Sequence, residues 1–443
     1  MKHIILTIIL ILALSYLYSE EFSWPQYRHD AQRTGRSDMN EGPQKKPYVA
    51  WWNSYVNGFV IGKDDNIFLA GSETYSMDKN GNQRWRSADV QNSYSPMINK
   101  DGTKFWVCDT DGYGDLYDLY ILNPSNGAII KRIPNRGCDN YVEDKDGFVY
   151  GVSWKDSLLY KFDADGNDVW NRKLKGFWRG HSISQTGDIY VLTTLTITCY
   201  DSSGTEKWSK EGNSINIRYY DYPVIAPDGT IYVMGSPQTV GLIAFNQDGT
   251  EKWATKTIGG WSLGLTSDGT IYYLGEYYVN AINPDGSIKW VKNLDIGGSM
   301  VIDSNDYLYS RDKRGFFCFD TNGNELWKFS FDKNGNIYAL GTNKTLYAYS
   351  TGDDRIYAIK EDTGFSSSNS SSCLPDKHFS ISPNPFTGRL SISSSSSASI
   401  YSLTGQLIME LPKGKHSLDT SKWREGVYIV KSGKECKRVV KVK

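Results

Sequence analysis

One short pattern recurs along most of the chain: an apolar strand, then Asp/Asn-x-x-Gly, then a Trp four residues after the Gly. It is seen as Met77-Asp78…Gly81…Trp85, Phe162-Asp163…Gly166…Trp170 and Tyr200-Asp201…Gly204…Trp208. It returns as Phe245-Asn246…Gly249…Trp253, Ile282-Asn283…Gly286…Trp290 and Phe319-Asp320…Gly323…Trp327. Two further copies, Asn123…Gly127 and Lys360…Gly364, lack the Trp. The eight glycines are spaced 37 to 46 residues apart. A second pattern alternates with the first, Asp/Asn-Gly followed by β-branched and aromatic residues: Asp101-Gly102, Asp146-Gly147, Asp228-Gly229, Asp268-Gly269 and Asn334-Gly335, with Gly187-Asp188 as a variant. Such dipeptides tolerate the positive φ of tight hairpins. Each period therefore holds four strands and two marked turns.

A four-stranded unit of this size cannot bury both faces alone, so copies must stack around an axis until the ring closes. The expected fold is all-β: a β-propeller followed by a small β-sandwich. Trp85, Trp170, Trp208, Trp253, Trp290 and Trp327 are read as structural, because function rarely needs one residue in every repeat. Eight glycine-marked copies favour eight blades. The eighth copy, Asn334–Gly364, has no Trp strand after it, and Pro47–Asn53, with Trp51 and Trp52, is the segment expected to complete it and close the ring. The short stretch between Trp327 and Gly335 keeps seven blades as the alternative.

Composition agrees with many short strands: Gly 42, Tyr 31 and Trp 14 in 443 residues, with 39% hydrophobic residues. The formal charge of −1 conceals a division. Residues 376–443 carry 12 basic and 5 acidic side chains, whereas residues 20–375 carry 36 and 45. A mildly acidic body argues against nucleic acid as a partner. Residues 1–19 read as a signal peptide: Lys2, an apolar run Ile4–Leu14 too short to span a bilayer, then small residues. The mature chain is expected to be exported, without a transmembrane segment, and monomeric. Cys199 and Cys318 occupy equivalent repeat positions and read as buried hydrophobes, while Cys108–Cys138 and Cys373–Cys436 are candidate bridges that sequence does not assign.

The Asp/Asn-x-x-Gly-x-x-x-Trp copies and the opening Trp24-Pro-Gln-Tyr-Arg-His-Asp30…Thr34-Gly35 resemble the pyrroloquinoline-quinone (PQQ)-type propeller superfamily over residues 22–364. Its dehydrogenases carry an adjacent Cys pair and a calcium site. This chain has no adjacent cysteines and resembles instead the cofactor-free branch, which includes an outer-membrane assembly lipoprotein and exported binding propellers. No cofactor is expected. After a Ser-rich linker at 365–375, residues 376–443 show short strands and turns of a β-sandwich. Ile381-Ser-Pro-Asn-Pro385-Phe386, Ile400-Tyr-Ser-Leu-Thr-Gly405-Gln406, Leu418-Asp419…Trp423-Arg-Glu-Gly426-Val-Tyr428 and the basic finish are similar to the type A sorting domain of type IX secretion substrates. That resemblance implies the secretion machinery as partner, passage across the outer membrane, and release or cell-surface attachment.

Chemistry leaves few marks. The mature chain has four His, at 29, 181, 378 and 416, with no metal-ligand spacing, and no metal site is expected. Asp109-Thr-Asp111-Gly-Tyr-Gly-Asp115-Leu-Tyr-Asp118 has the acidic spacing of a calcium loop but Tyr120 where the bidentate Glu belongs, and reads as a hairpin. Loops that lead into the inner strands vary where the frame does not. Tyr94, Trp178, Arg179, His181, Arg218, Tyr220, Asp221 and Trp261 are therefore the candidate ligand-binding residues of a channel mouth, and no catalytic residue is assigned. The reading is a non-enzymatic exported propeller that binds a protein or glycan. The alternative is a quinoprotein-like oxidoreductase or another propeller enzyme, a lyase or hydrolase.

Overall fold

A computed structural model describes residues 24–362 and 380–441, apart from 54–56, 111–115, 154, 212–221, 236–240, 256–259, 276, 295–297, 314, 332–334, 351–352, 354, 383–386, 395, 403–406, 425 and 433–434. The leader at 1–19, the linker at 365–375, Cys373 and Arg218, Tyr220 and Asp221 lie outside the described residues, as do the side chains of Trp261 and Cys436. The chain divides into two compact units on either side of Ser366/Ser367.

The described strands of the first unit form eight four-stranded antiparallel sheets. Sheets 1 to 7 take residues 58–91, 93–133, 139–173, 178–211, 224–255, 260–293 and 301–330, each an up-and-down meander whose first strand is innermost. Sheet 8 is assembled differently. Gly335–Gly341, Thr345–Ser350 and Arg355–Glu361 form its inner three strands, and Pro47–Asn53 adds the outermost by pairing antiparallel with Arg355–Glu361, Pro47 opposite Glu361. The innermost strands of sheets 8 and 1 then touch, so the ring is closed by the joining of distant chain segments. Asp65 of sheet 1, almost fully buried, reinforces the seam by accepting the Thr342 amide at 2.9 Å.

This arrangement alters one expectation. Asn334-Gly335-Asn-Ile-Tyr338 looks like the hairpin pattern of the other copies, yet Gly335 opens the innermost strand, and the hairpin falls at Thr342–Lys344, where Asn343 and Lys344 take positive φ. Among the described residues sheet 8 has its four strands. Once the N-terminal strand fills the outer position, the three C-terminal strands fill the inner three.

The repeated Gly and Trp have one joint explanation. Each Asp/Asn-x-x-Gly turn joins the third strand of a sheet to the fourth, and the Trp of the preceding sheet lies on it. Nε1 of Trp51, Trp85, Trp170, Trp208, Trp253 and Trp290 donates to the carbonyls of Lys79, Pro124, Ser202, Gln247, Pro284 and Thr321 of the next sheet, at 2.7 to 3.1 Å. At Gly249 the backbone has φ +81° and an added Cβ would stand 2.7 Å from the Trp208 ring. The glycine is thus required twice, for the left-handed turn and for the approach of the indole. Trp327 has no such turn ahead of it and donates instead to Pro43, just before the strand that completes sheet 8. Between sheets 2 and 3, where the Trp is absent, Ile121 and Ile133 lie over Gly166.

The second unit packs a three-stranded sheet (Ser380–Ser382, Arg389–Ser394, Gly414–Asp419) and a four-stranded sheet (Leu407–Leu411, Ala398–Ser402, Gly426–Ser432, Glu435–Lys441) around Leu390, Ile392, Ile400, Val430 and Val439. In Gly414–Asp419 the residues alternate between half-buried and exposed, and the strand offers only Leu418 to the apolar core.

The clasp predicts a difference between two glycines of similar φ. Gly187 has φ +92° and an added Cβ would meet only Ser202 Cβ, at an ordinary 4.0 Å, so Gly187→Ala should cost only the left-handed backbone, about 1 kcal/mol. Gly249→Ala should also displace Trp208 and cost about 3 kcal/mol in urea unfolding. Equal costs would show that the indole does not depend on the glycine.

Candidate functional site

The opening segment, residues 24–37, crosses the end of the ring where the innermost strands finish. Its acceptors take the amides of those strands in chain order. Ile61 donates to the Trp24 carbonyl at 2.8 Å, Ile98 to Pro25 at 2.9 Å, Ile183 to Ala31 at 2.8 Å, Ile225 to Gln32 at 3.1 Å, Leu265 to Thr34 at 3.0 Å and Ile302 to Gly35 at 2.9 Å. At sheet 3 the Glu143 amide donates to the Gln26 side-chain oxygen at 3.1 Å. One strap therefore binds seven sheets through groups that would otherwise be unpaired at the channel end.

Two arginines of the strap reach inward. Arg33 is fully buried, and its guanidinium donates to the carbonyls of Tyr27, Asn140 (3.0 Å) and His181 (3.4 Å). It lies 5.0 Å from the Tyr222 ring centroid. Arg28 donates to the Leu263 carbonyl and, at 2.6 Å, to Ser262 Oγ. Burial lowers the pKa of Arg33 and raises that of Tyr222 well above its usual value. These neutral acceptors satisfy a buried cation and fix the strap against three different sheets.

The candidate mouth residues separate into exposed and buried sets. Tyr94 is exposed at the start of the innermost strand of sheet 2, and Arg179 is half-buried. Trp178 and His181 are buried in the core that sheets 3 and 4 share, with ring centroids 5.7 Å apart. Burial, with the Arg33 charge beside it, holds His181 well below its ordinary pKa, so it is neutral. Asp109 and Asp118 stand on paired strands, Asp109 at a register shift where its side chain accepts the Asp118 amide at 2.8 Å, and residues 111–115 between the strands lie outside the described residues. Cys108 and Cys138 are buried free thiols, the former donating to the Cys138 carbonyl at 3.3 Å.

Sequence reading passed over Glu143. In five sheets a hairpin glycine follows the last inner-strand residue by four positions: Ile98/Gly102, Glu143/Gly147, Ile183/Gly187, Ile225/Gly229 and Leu265/Gly269. Only sheet 3 breaks the aliphatic series, and that spacing was the available signal. Glu143 is 7% exposed and its Oε2 accepts the Lys100 amide at 2.5 Å. Burial raises its pKa from 4.5 to about 7.

The folded chain thus keeps this proton to higher pH than the unfolded chain does. The resulting stabilisation is complete below about pH 4.5 and is lost as pH rises to about 7. Relative to Glu143→Gln, the wild-type unfolding free energy should fall by up to about 3 kcal/mol across that interval. Parallel pH profiles for the two proteins would contradict this.

Residues 380–442 match the family described as secretion system C-terminal sorting domain. Residues 155–279 and 275–410 match the family described as outer membrane protein assembly factor BamB, the second stretch running past the last propeller strand, which ends at Glu361. The crystal structure of BamB from Moraxella catarrhalis is similar at 15% identity and a TM-score of 0.57, covering 72% of this chain and 98% of that one. PorZ, described as a surface component of the type IX secretion system of Porphyromonas gingivalis, aligns at 13% identity over 86% of this chain and 69% of its own, with a TM-score of 0.40. No curated protein matches the chain significantly. The chain belongs to the BamB-like PQQ-repeat propeller family and ends in a type IX sorting domain, which directs it to the cell surface or exterior.

Proposed function

We propose that the protein is an exported, non-enzymatic binding propeller that holds a protein or glycan ligand outside the cell, on the face where the innermost strands begin. The supporting observation is the distribution of exposed apolar side chains. Among the described residues, away from the outermost strands, four of the five large exposed ones in the propeller are on that face: Tyr94, Phe177, Leu195 and Tyr277, with Met39 on the other. Phe177 and Leu195 are 78% and 58% exposed and adjacent, since the Thr194 amide donates to the Phe177 carbonyl at 2.8 Å. Apolar side chains gathered on one surface mark interaction sites. The strap occupies the opposite end of the axis, so a ligand entering the channel would approach from this face.

Tyr94 and Arg179 are the candidate mouth residues best placed to touch such a ligand, whereas Trp178 and His181 would act beneath the surface. Arrays of glycans and of surface proteins probed with the full chain test the reading. A Phe177→Asp/Leu195→Asp double variant should keep the wild-type unfolding midpoint and lose at least about tenfold in affinity for the captured ligand. Unchanged affinity in that variant would reject this face as the binding surface.

A further inference from the structure

The strap does not follow the ring evenly. Between Pro25 and Ala31 it turns away from sheet 3, with Arg28 and His29 in left-handed conformations (φ 57° and 72°), and Gln26 bridges to Glu143 by its side chain. The departure leaves a cleft of about 1010 Å³ between the strap and the hairpins of sheets 2, 3 and 4. It lies on the opposite face from the surface proposed above.

Glu143 lines this cleft at the one position where the aliphatic series is broken. Its Oε2 accepts a single hydrogen bond, from the Lys100 amide, and Oε1 accepts none among the described residues. A carboxylate has room for more donors, and Glu143 stands in the wall of the cleft with Oε1 open to one. The other acids of the cleft are already engaged: Asp30 by Thr34, Asp38 by Arg36, Asp101 by Thr103, and Asp144 by the Asp146 and Phe148 amides and the Tyr150 hydroxyl. The nearby cations are engaged as well, Lys100 Nζ by the Asp144 carbonyl at 2.9 Å and Lys145 Nζ by Asp146 at 3.4 Å. Five acidic side chains against Lys100, Lys145 and His29 make the cleft favour a positive ligand. Pro25, Ala31, Met39 and Ile98 supply apolar wall for an alkyl stem.

We propose that this cleft binds a primary ammonium group carried on an alkyl chain, with the Glu143 carboxylate as its acceptor. The same chemistry is offered by a lysine side chain of a polypeptide and by a free diamine.

Calorimetric titration of the full chain at pH 8 with 1,5-diaminopentane and with Nα-acetyl-lysine methylamide separates the sources, and Nα-acetyl-norleucine methylamide is the uncharged control. Saturable binding of either amine, without binding of the norleucine compound, is the expected result. Binding of the lysine compound alone identifies a polypeptide ligand, and binding of both admits a free amine. Glu143→Gln preserves shape and should weaken binding about tenfold or more. Glu143→Ile restores the residue type of the other sheets and should abolish binding while the protein stays folded by circular dichroism. The proposal is overturned if neither amine binds up to roughly 10 mM, if the norleucine compound binds equally, or if Glu143→Gln binds as the wild type does.

Discussion

Seven innermost strands end in amides that converge on one strap, and the rest of the propeller is organised by that fact. In a repeat ring each sheet touches only its two neighbours, so cooperativity would ordinarily pass around the circle step by step. Here residues 24–35 contact the inner strands of sheets 1 to 7 in succession through hydrogen bonds of 2.8 to 3.1 Å. Each is worth about 1 kcal/mol in net stability, yet leaving any of these buried amides without a partner would cost more than that. The same chain end then runs through Pro43, under Trp327, into the outermost strand of sheet 8. One segment thus closes the ring at its rim and spans its axis.

The two ends of the axis differ as a consequence. The strap and its inward arginines fill the end where the hairpins carry Asp-Gly and Asn-Gly turns, and there the carboxylates are mostly consumed by turn amides. The other end keeps Phe177, Leu195, Tyr94 and Tyr277 in solvent. The proposed binding face thus lies on variable connections of the frame, at the end away from the strap.

What was legible in the sequence was whatever repeats by side-chain type. Gly249 beneath Trp208 appears in the sequence because both partners are specified residues, and the same pair recurs at Gly204/Trp170 and Gly286/Trp253. The closing role of Pro47–Asn53 was legible from an unpaired Trp and a missing strand. The strap's work was not, since it is done by backbone carbonyls, which carry no residue signature. Asn334-Gly335 was misread because local turn chemistry there matches a hairpin, while the topology of a ring closed by the N-terminal strand assigns it elsewhere. Among the candidate mouth residues, Trp178 and His181 were selected for residue type on a variable segment, but a β-bulge between Trp178 and Gly180 brings the two, three residues apart, to one buried side against the core of sheets 3 and 4. Glu143 was readable in principle, as the one acid in a column of isoleucines and leucine.

Native-state hydrogen exchange on the full chain tests the strap most directly. If it unites the ring, the amides of Ile61, Ile98, Glu143, Ile183, Ile225, Leu265 and Ile302 should exchange with one common opening free energy, close to that of global unfolding. Exchange at separate free energies, sheet by sheet, would contradict the account.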